Sequence, residues 1–193
     1  MNLLISIKDC IIQGHRIPDF DIFEGQMVSI YSPVNYLEDR LQSQLDGFNI
    51  FHKPLYVDGK LKSDGNIWYC FKKITLYQYI AKYSKLSSNE IKLILNVLEI
   101  PLDTLAKNIR GAFARLIINI EIGFNNSNFL LINTAGLDPK GIIDLYNYLY
   151  EKIKINNELS IIIIQSPTSI FPISHFKLQI INEDNLLSVA DIR

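Results

Sequence analysis

Short apolar runs alternate along the chain with longer stretches whose apolar residues recur at three- and four-residue spacing, the pattern of strands layered on helices. Leu3 to Ile7 and Gln26 to Tyr31 predict strands, with loop signals at Gly14 and Pro18 and a Glu24-Gly25 turn between them. Leu37, Leu41 and Leu45 predict a helix from about Tyr36 to Asp46, with Asn35 as its cap, Glu38 three residues on, and Gly47 at the left-handed position past its end. From Thr75 to about Ile122 the pattern is helical. Leu76, Tyr79, Ile80 and Tyr83 share one face, Ser87 with Glu90 forms a capping box ahead of Ile91, Ile94, Leu95 and Leu98, and Pro101 is expected to end that helix. Phe129 to Ile132 and Leu159 to Ile164 are short enough and apolar enough to be buried strands. Between them Asp138-Pro139 opens a helix with its apolar face on Ile142, Tyr146, Leu149, Tyr150 and Ile153. Leu178 and Ile180, followed by Asn182-Glu183-Asp184-Asn185 and Leu186, suggest a terminal hairpin.

This alternation, without repeat or linker, makes residues 1–193 one α/β unit, and 48% hydrophobic content is enough to build its core. Nineteen basic against 20 acidic side chains leave a net charge of -1, which gives no field for phosphate backbones and argues against nucleic acid as a partner. Cys10 and Cys70 have no second pair, so neither a disulfide framework nor a zinc site follows, and a reducing compartment is expected. The opening MNLLISIKDC lacks a cationic run and a cleavage site, and no apolar stretch approaches the length of a membrane span. Membrane insertion is therefore not expected. His15 and His52 have no second ligand at metal spacing and read as exposed loop residues, so no metal site is expected.

In EGQMVSIYSPVNYLEDRLQSQLDGF, strand, tight turn, helix and closing glycine follow one another at the spacing of a phosphate-loop unit. The stretch resembles the opening of the ATP-binding domain of ABC transporters, matching it without a gap at Glu24, Gly25, Pro33, Leu41, Leu45 and Gly47. The phosphate-holding positions differ. Laid on the phosphate-loop motif, Ser32 replaces the first glycine, Leu37 the second, Glu38 the lysine and Asp39 the magnesium-binding hydroxyl. Leucine denies the close backbone approach that glycine permits. Glu38 turns attraction into repulsion, worth roughly 4 kcal/mol for unit charges about 4 Å apart at an effective dielectric near 20. The plain reading of Glu38 and Asp39 is an acidic first helical turn that complements the helix dipole.

The resemblance extends from about Leu3 to Leu187. Ile109 to Phe113 falls on the family's signature pentapeptide, where Arg110 replaces the serine, Gly111 matches a glycine and Ala112 replaces another. The strand that should end in the magnesium-organising aspartate ends in Asn133 and passes directly to Thr134, which deletes the glutamate base. An asparagine cannot act as a base. Thr134 to Pro139, TAGLDP, matches the family's D-loop residue for residue, so the resemblance implies a dimer contact through Ala135, Gly136, Leu137 and Asp138. Helix capping by Asp138 is the simpler reading of the same residues. The switch histidine falls near Gln165, the strand-end glutamine near Lys72 and the adenine-stacking aromatic near Ile12.

The expected fold is therefore α/β, a P-loop NTPase-like mixed sheet flanked by helices, with residues 75–122 as an inserted helical subdomain. The resemblance implies a degenerate ATP-binding-cassette subunit without ATP hydrolysis, paired with a second ATP-binding subunit and with a membrane permease at the cytoplasmic face. No cofactor is expected, ATP and magnesium entering only at a site that a partner completes. Two other readings stand beside it. One is an active ATPase using Glu121 as base and His175 as switch, although Glu121 in mid-helix reads as solvent-facing. The other is an interaction module built on Trp68, Tyr69, Phe71, Tyr77, Tyr79 and Tyr83; in the resembled family this region meets the permease, which makes Trp68, Tyr77 and Tyr83 permease-facing candidates, whereas core packing is the plain alternative.

Overall fold

The computed structural model describes residues 2–33, 37, 41, 48–61, 73–165 and 176–182. Strand β1 (Leu3–Ile7) is the centre of a three-stranded antiparallel sheet, between β4 (Phe20–Phe23) and β6 (Phe48–Ile50), with Ile5 facing both Ile22 and Ile50 in register. A small hairpin, β2 (Ile11–Ile12) with β3 (His15–Arg16), turns through Gly14 at φ 81°. Neither this hairpin nor β4 was legible in the pattern, because two- and four-residue strands carry too little periodicity. His15 accordingly lies half-buried in β3 and not on a loop, whereas His52 is exposed.

The second sheet has five strands in the order β10-β5-β9-β8-β7. β5 (Met27–Tyr31), β9 (Ser160–Gln165), β8 (Phe129–Asn133) and β7 (Leu55–Val57) run parallel, and β10 (Lys177–Ile180) is antiparallel to β5. The continuous apolar runs FLLIN and SIIIIQ form central strands covered on both faces, as parallel sheets require. Their residues alternate between two cores. Val28, Ile30, Leu131, Ile162 and Ile164 face the first sheet together with Leu37 and Leu41, which are helical and fully buried. Met27, Leu130, Ile132, Ile161 and Ile163 face the helices on the other side. The rest of the helix expected from Tyr36 to Asp46, including Glu38 and Asp39, lies outside the described residues.

Four helices are described: α1 (Leu76–Tyr83), α2 (Ser88–Val97), α3 (Ala112–Phe124) and α4 (Pro139–Ile155). Thr75-Gln78 and Ser87-Glu90 form complete capping boxes, so the starts of α1 and α2 follow from side-chain chemistry. The helical reading of 75–122 needs one correction. Glu99 at φ 55° ends α2 ahead of Pro101, and only the 3-10 turn Ala106–Asn108 intervenes before α3. Helix α3 joins two cores: Leu116, Ile117 and Ile120 pack with α4 and the sheet, whereas Ile118 and Ile122 pack with Leu76, Tyr79, Ile80, Ile91 and Leu95 of α1 and α2. Among the described residues, no helix is long and apolar enough to cross a membrane. Of the expected terminal hairpin, β10 is present and residues 183–193 lie outside the described set.

Candidate functional site at the carboxyl edge of the parallel sheet

In a parallel α/β sheet the strand ends converge on one edge, and the loops leaving them build the site. Here that edge collects Ser32 after β5, Asn133 at the end of β8, Gln165 at the end of β9 and Asp58 after β7. Ser32 is fully buried, and its backbone N–H donates to the Gln165 carbonyl at 2.9 Å. Gln165 Nε2 donates to the phenol oxygen of Tyr146 on α4 at 2.6 Å, and the same oxygen lies 2.5 Å from Ser29 Oγ of β5. Burial, reinforced by Tyr31 nearby, pushes the Tyr146 phenol up, so it stays protonated and has a proton to share in this network. Tyr146 was expected only as part of an apolar helix face. Its polar role had no local signal, since its partners stand on β5 and β9.

Asn133 spends its side-chain oxygen on the Ala135 backbone N–H at 2.8 Å, closing a turn, while Nδ2 lies 3.4 Å from the Tyr56 hydroxyl. The Thr134 N–H and hydroxyl both donate to the Ile164 carbonyl, at 3.2 and 3.0 Å, which fixes the loop to β9. Asp138 then caps α4 by accepting from the Gly141 N–H at 2.6 Å, with Pro139 opening the helix. Ala135, Gly136 and Asp138 are exposed and Leu137 is half-buried. The turn residues expected at an interface are therefore accessible, and the capping role of Asp138 is also present.

Ile109 is buried, Arg110 and Gly111 are exposed, and Ala112 and Phe113 are half-buried at the start of α3. Gly111 takes φ 90° and provides no side-chain cap. Arg115 folds back one turn to steady the segment, donating from Nε and Nη2 to the Ile109 carbonyl at 3.1 and 2.9 Å. Between this segment and the strand ends lies a cleft of about 440 Å³, lined among others by Tyr56, Asp58, Lys60, Gly111, Arg115 and Asn133. The fold thus brings Asn133, Ala135 and the Ile109–Phe113 segment to one surface. Lys72, Glu38, Asp39, Trp68 and His175 lie outside the described residues. Leu37 is committed to the core.

Among the described residues, no group of three or more His, Cys, Asp and Glu side chains could hold a metal ion. The ends of β8 and β9 offer amides, each already hydrogen-bonded, in place of the carboxylate and imidazole positions that the resemblance implies. Glu121 needs a correction. It is 7% exposed, not solvent-facing, and it accepts a hydrogen bond from Tyr148 OH while pairing with Lys152 Nζ at 2.6 Å. Tyr79 is fully buried, while Tyr77 and Tyr83 are half-buried and pack against the α1–α2 core.

Similar sheets and helices occur in solved structures. A metal-chelate type ABC transporter in an inward-facing conformation superimposes over 100% of this chain and 88% of its own, at TM-score 0.59 and 13% identity. The chain has the ABC ATPase fold. CbiO1 of Clostridium perfringens, part of the ABC transporter complex CbiONQ, matches over 86% of this chain and 80% of its own, at TM-score 0.56 and 16% identity. An ATP-binding cassette of an ABC transporter in its ADP conformation matches over 88% of this chain and 83% of its own, at TM-score 0.51 and 12% identity. No protein-family model and no curated protein matches the sequence. The expected P-loop NTPase-like fold class is thereby established, and at these identities the likeness speaks of the fold alone.

Proposed function

We propose that this chain is a degenerate ATP-binding-cassette subunit that does not hydrolyse ATP and serves as the structural or regulatory partner of an active ATPase subunit, a permease, or both. The observation that carries this reading is the fate of Asn133 and Gln165. At the positions where the resemblance implies a magnesium-organising carboxylate and a switch imidazole, two neutral amides are engaged with Ala135 N–H and Tyr146 OH. These residues bring no carboxylate to a magnesium nucleotide, which proteins hold through one or two carboxylates besides its own phosphates. Glu121 does not suit the role of a substitute base, because Tyr148 and Lys152 occupy it inside the α3–α4 contact. The exposed turn Ala135–Asp138 favours a retained pairing surface, and a pairing partner with an intact site would bring ATP and magnesium.

CbiO1 belongs to a transporter complex, and by analogy a permease is the second partner, with the half-buried Tyr77 and Tyr83 as its candidate contacts, and it holds the chain at the cytoplasmic face of the membrane. Calorimetry with magnesium-ATP on the purified chain tests the reading. No binding in the micromolar range and no turnover are expected, and either one, persisting after contaminating ATPases are removed, would overturn it.

A further inference from the structure

Helix α3 is held to α4 mostly by apolar contacts, which are non-directional and tolerate sliding along a helix axis, whereas Asn119 ties α3 to the loop after β7 by donating to the Asp58 and Lys60 carbonyls, each at 2.8 Å. It is also the described helix whose fully buried residues enter both the sheet core and the α1–α2 core. The α1–α2 layer therefore meets the sheet core through α3, whose own placement is shared between the sheet, the Asn119 bonds and the seam with α4. One polar cluster breaks the apolar seam. Glu121 of α3 accepts from Tyr148 OH of α4, and Lys152, one turn along α4, places Nζ 2.6 Å from the same carboxylate oxygen and 5.4 Å from the Tyr148 ring centroid. The Glu121 side chain is 9% exposed and that of Lys152 is 35% exposed, so the pair lies at the inner margin of the seam.

Burying such a carboxylate costs desolvation that apolar side chains of similar volume would avoid, so net stability is a poor reason for its presence. Its directional geometry, by contrast, is satisfied at one register of α3 on α4, because a shift of one turn, roughly 5.4 Å, would strand the carboxylate away from both donors. We propose that the Glu121-Tyr148-Lys152 cluster is a register lock: it specifies the placement of α3 on α4, and through α3 the placement of the α1–α2 layer on the sheet.

The test separates specification from stabilisation. In the full chain, the triple replacement Glu121→Leu, Tyr148→Phe, Lys152→Met is expected to leave the thermal midpoint unchanged or raised. Amide exchange in α1, α2 and α3 should accelerate at least tenfold while β5, β8 and β9 keep their protection. Lys152→Met alone should lower the midpoint below that of the triple variant, since it leaves Glu121 with half its partners. Glu121→Gln with Lys152→Met retains the Tyr148 bond to a neutral side chain and serves as the second variant if the triple one fails to fold. It should fold and show an intermediate rise in exchange. A triple variant with unaltered exchange in α1–α3, a uniform rise that includes the sheet, or failure of both variants to fold would each overturn the proposal.

Discussion

A Cβ built on Gly136 would stand 3.8 Å from the Cβ of Ala112, so the turn that follows β8 rests against the first residue of α3 at ordinary van der Waals distance. Two segments separated along the chain, Thr134–Pro139 and Ile109–Phe113, thus share one surface, and glycines at positive φ shape both: Gly136 at 87° and Gly111 at 90°.

The cost of substituting these glycines is set by backbone conformation where space is open. Gly111 has nothing within 4 Å of a built Cβ, so Gly111→Ala and Gly136→Ala should each destabilise by about 1–3 kcal/mol through the positive-φ backbone alone. Gly25→Ala should cost more, because at φ 80° its Cβ would also meet the backbone oxygen of Asn157 at 2.7 Å. Urea midpoints of the three variants check the order; equal losses would contradict it.

Tyr146 and Tyr148 predict an alkaline weakening of the fold. Burial, first, and then nearby Tyr31 in one case and Glu121 in the other, raise both phenols above their ordinary value of 10.0. The folded state therefore holds these protons at a pH where the unfolded state has released them. Their stabilisation is complete below pH 10 and declines above it, by about 1.4 kcal/mol per pH unit for each phenol. Thermal midpoints between pH 9 and 11 should fall, and Tyr146→Phe should flatten the decline. At neutral pH the same variant should lose about 1–3 kcal/mol, because Ser29 Oγ and Gln165 Nε2 lose their common buried partner.

Central strands and capped helices were readable because their causes are local. FLLIN, SIIIIQ, the Ser87-Glu90 capping box and Asp138-Pro139 each carry the signal that forms the element, whereas the second box, Thr75-Gln78, was not read. Strands β6 and β7 were not read, since three residues apiece are too few for a period, and their places are set by pairing with β1 and β8. The same division holds at the site. Asn133 was singled out through the resemblance, at the end of a strand the pattern shows, whereas the links of Gln165 and Ser29 to Tyr146, and of Glu121 to Tyr148 and Lys152, join residues distant in sequence. Reading Glu121 as exposed failed because a charged residue inside an apolar helix is identical, in sequence, whether it faces water or a buried cation.

Asp138 allows the two readings of the turn to be separated. Asparagine caps a helix about as well as aspartate, so Asp138→Asn should leave stability within about 0.5 kcal/mol, whereas Asp138→Ala, which removes the acceptor for Gly141 N–H, should cost about 1 kcal/mol. Ala135→Arg places a long cation on an exposed position next to the cap. If the turn is a pairing surface, Ala135→Arg should abolish co-purification with an ATP-binding partner while leaving the urea midpoint of the isolated chain unchanged. Undiminished pairing would leave capping as the sole role of the turn.

Placing a carboxylate at the end of β8 tests how far the site is from a magnesium centre. In Asn133→Asp the oxygen that accepts from Ala135 N–H is retained, so the turn should survive. The added charge replaces an amide that is 8% exposed, and burying it should destabilise the fold by about 1–3 kcal/mol. The neighbouring strand-end side chains Thr134 and Gln165 are neutral and engaged with the sheet or with Tyr146, and Asp58, the carboxylate lining the same cleft, already accepts from the Lys60 N–H at 2.9 Å. The variant should therefore show neither magnesium-dependent protection in thermal scans nor ATP turnover above the unmodified chain. A magnesium-dependent rise in midpoint together with measurable turnover would mean that a single substitution supplies such a centre, and that Asn133 alone withholds it.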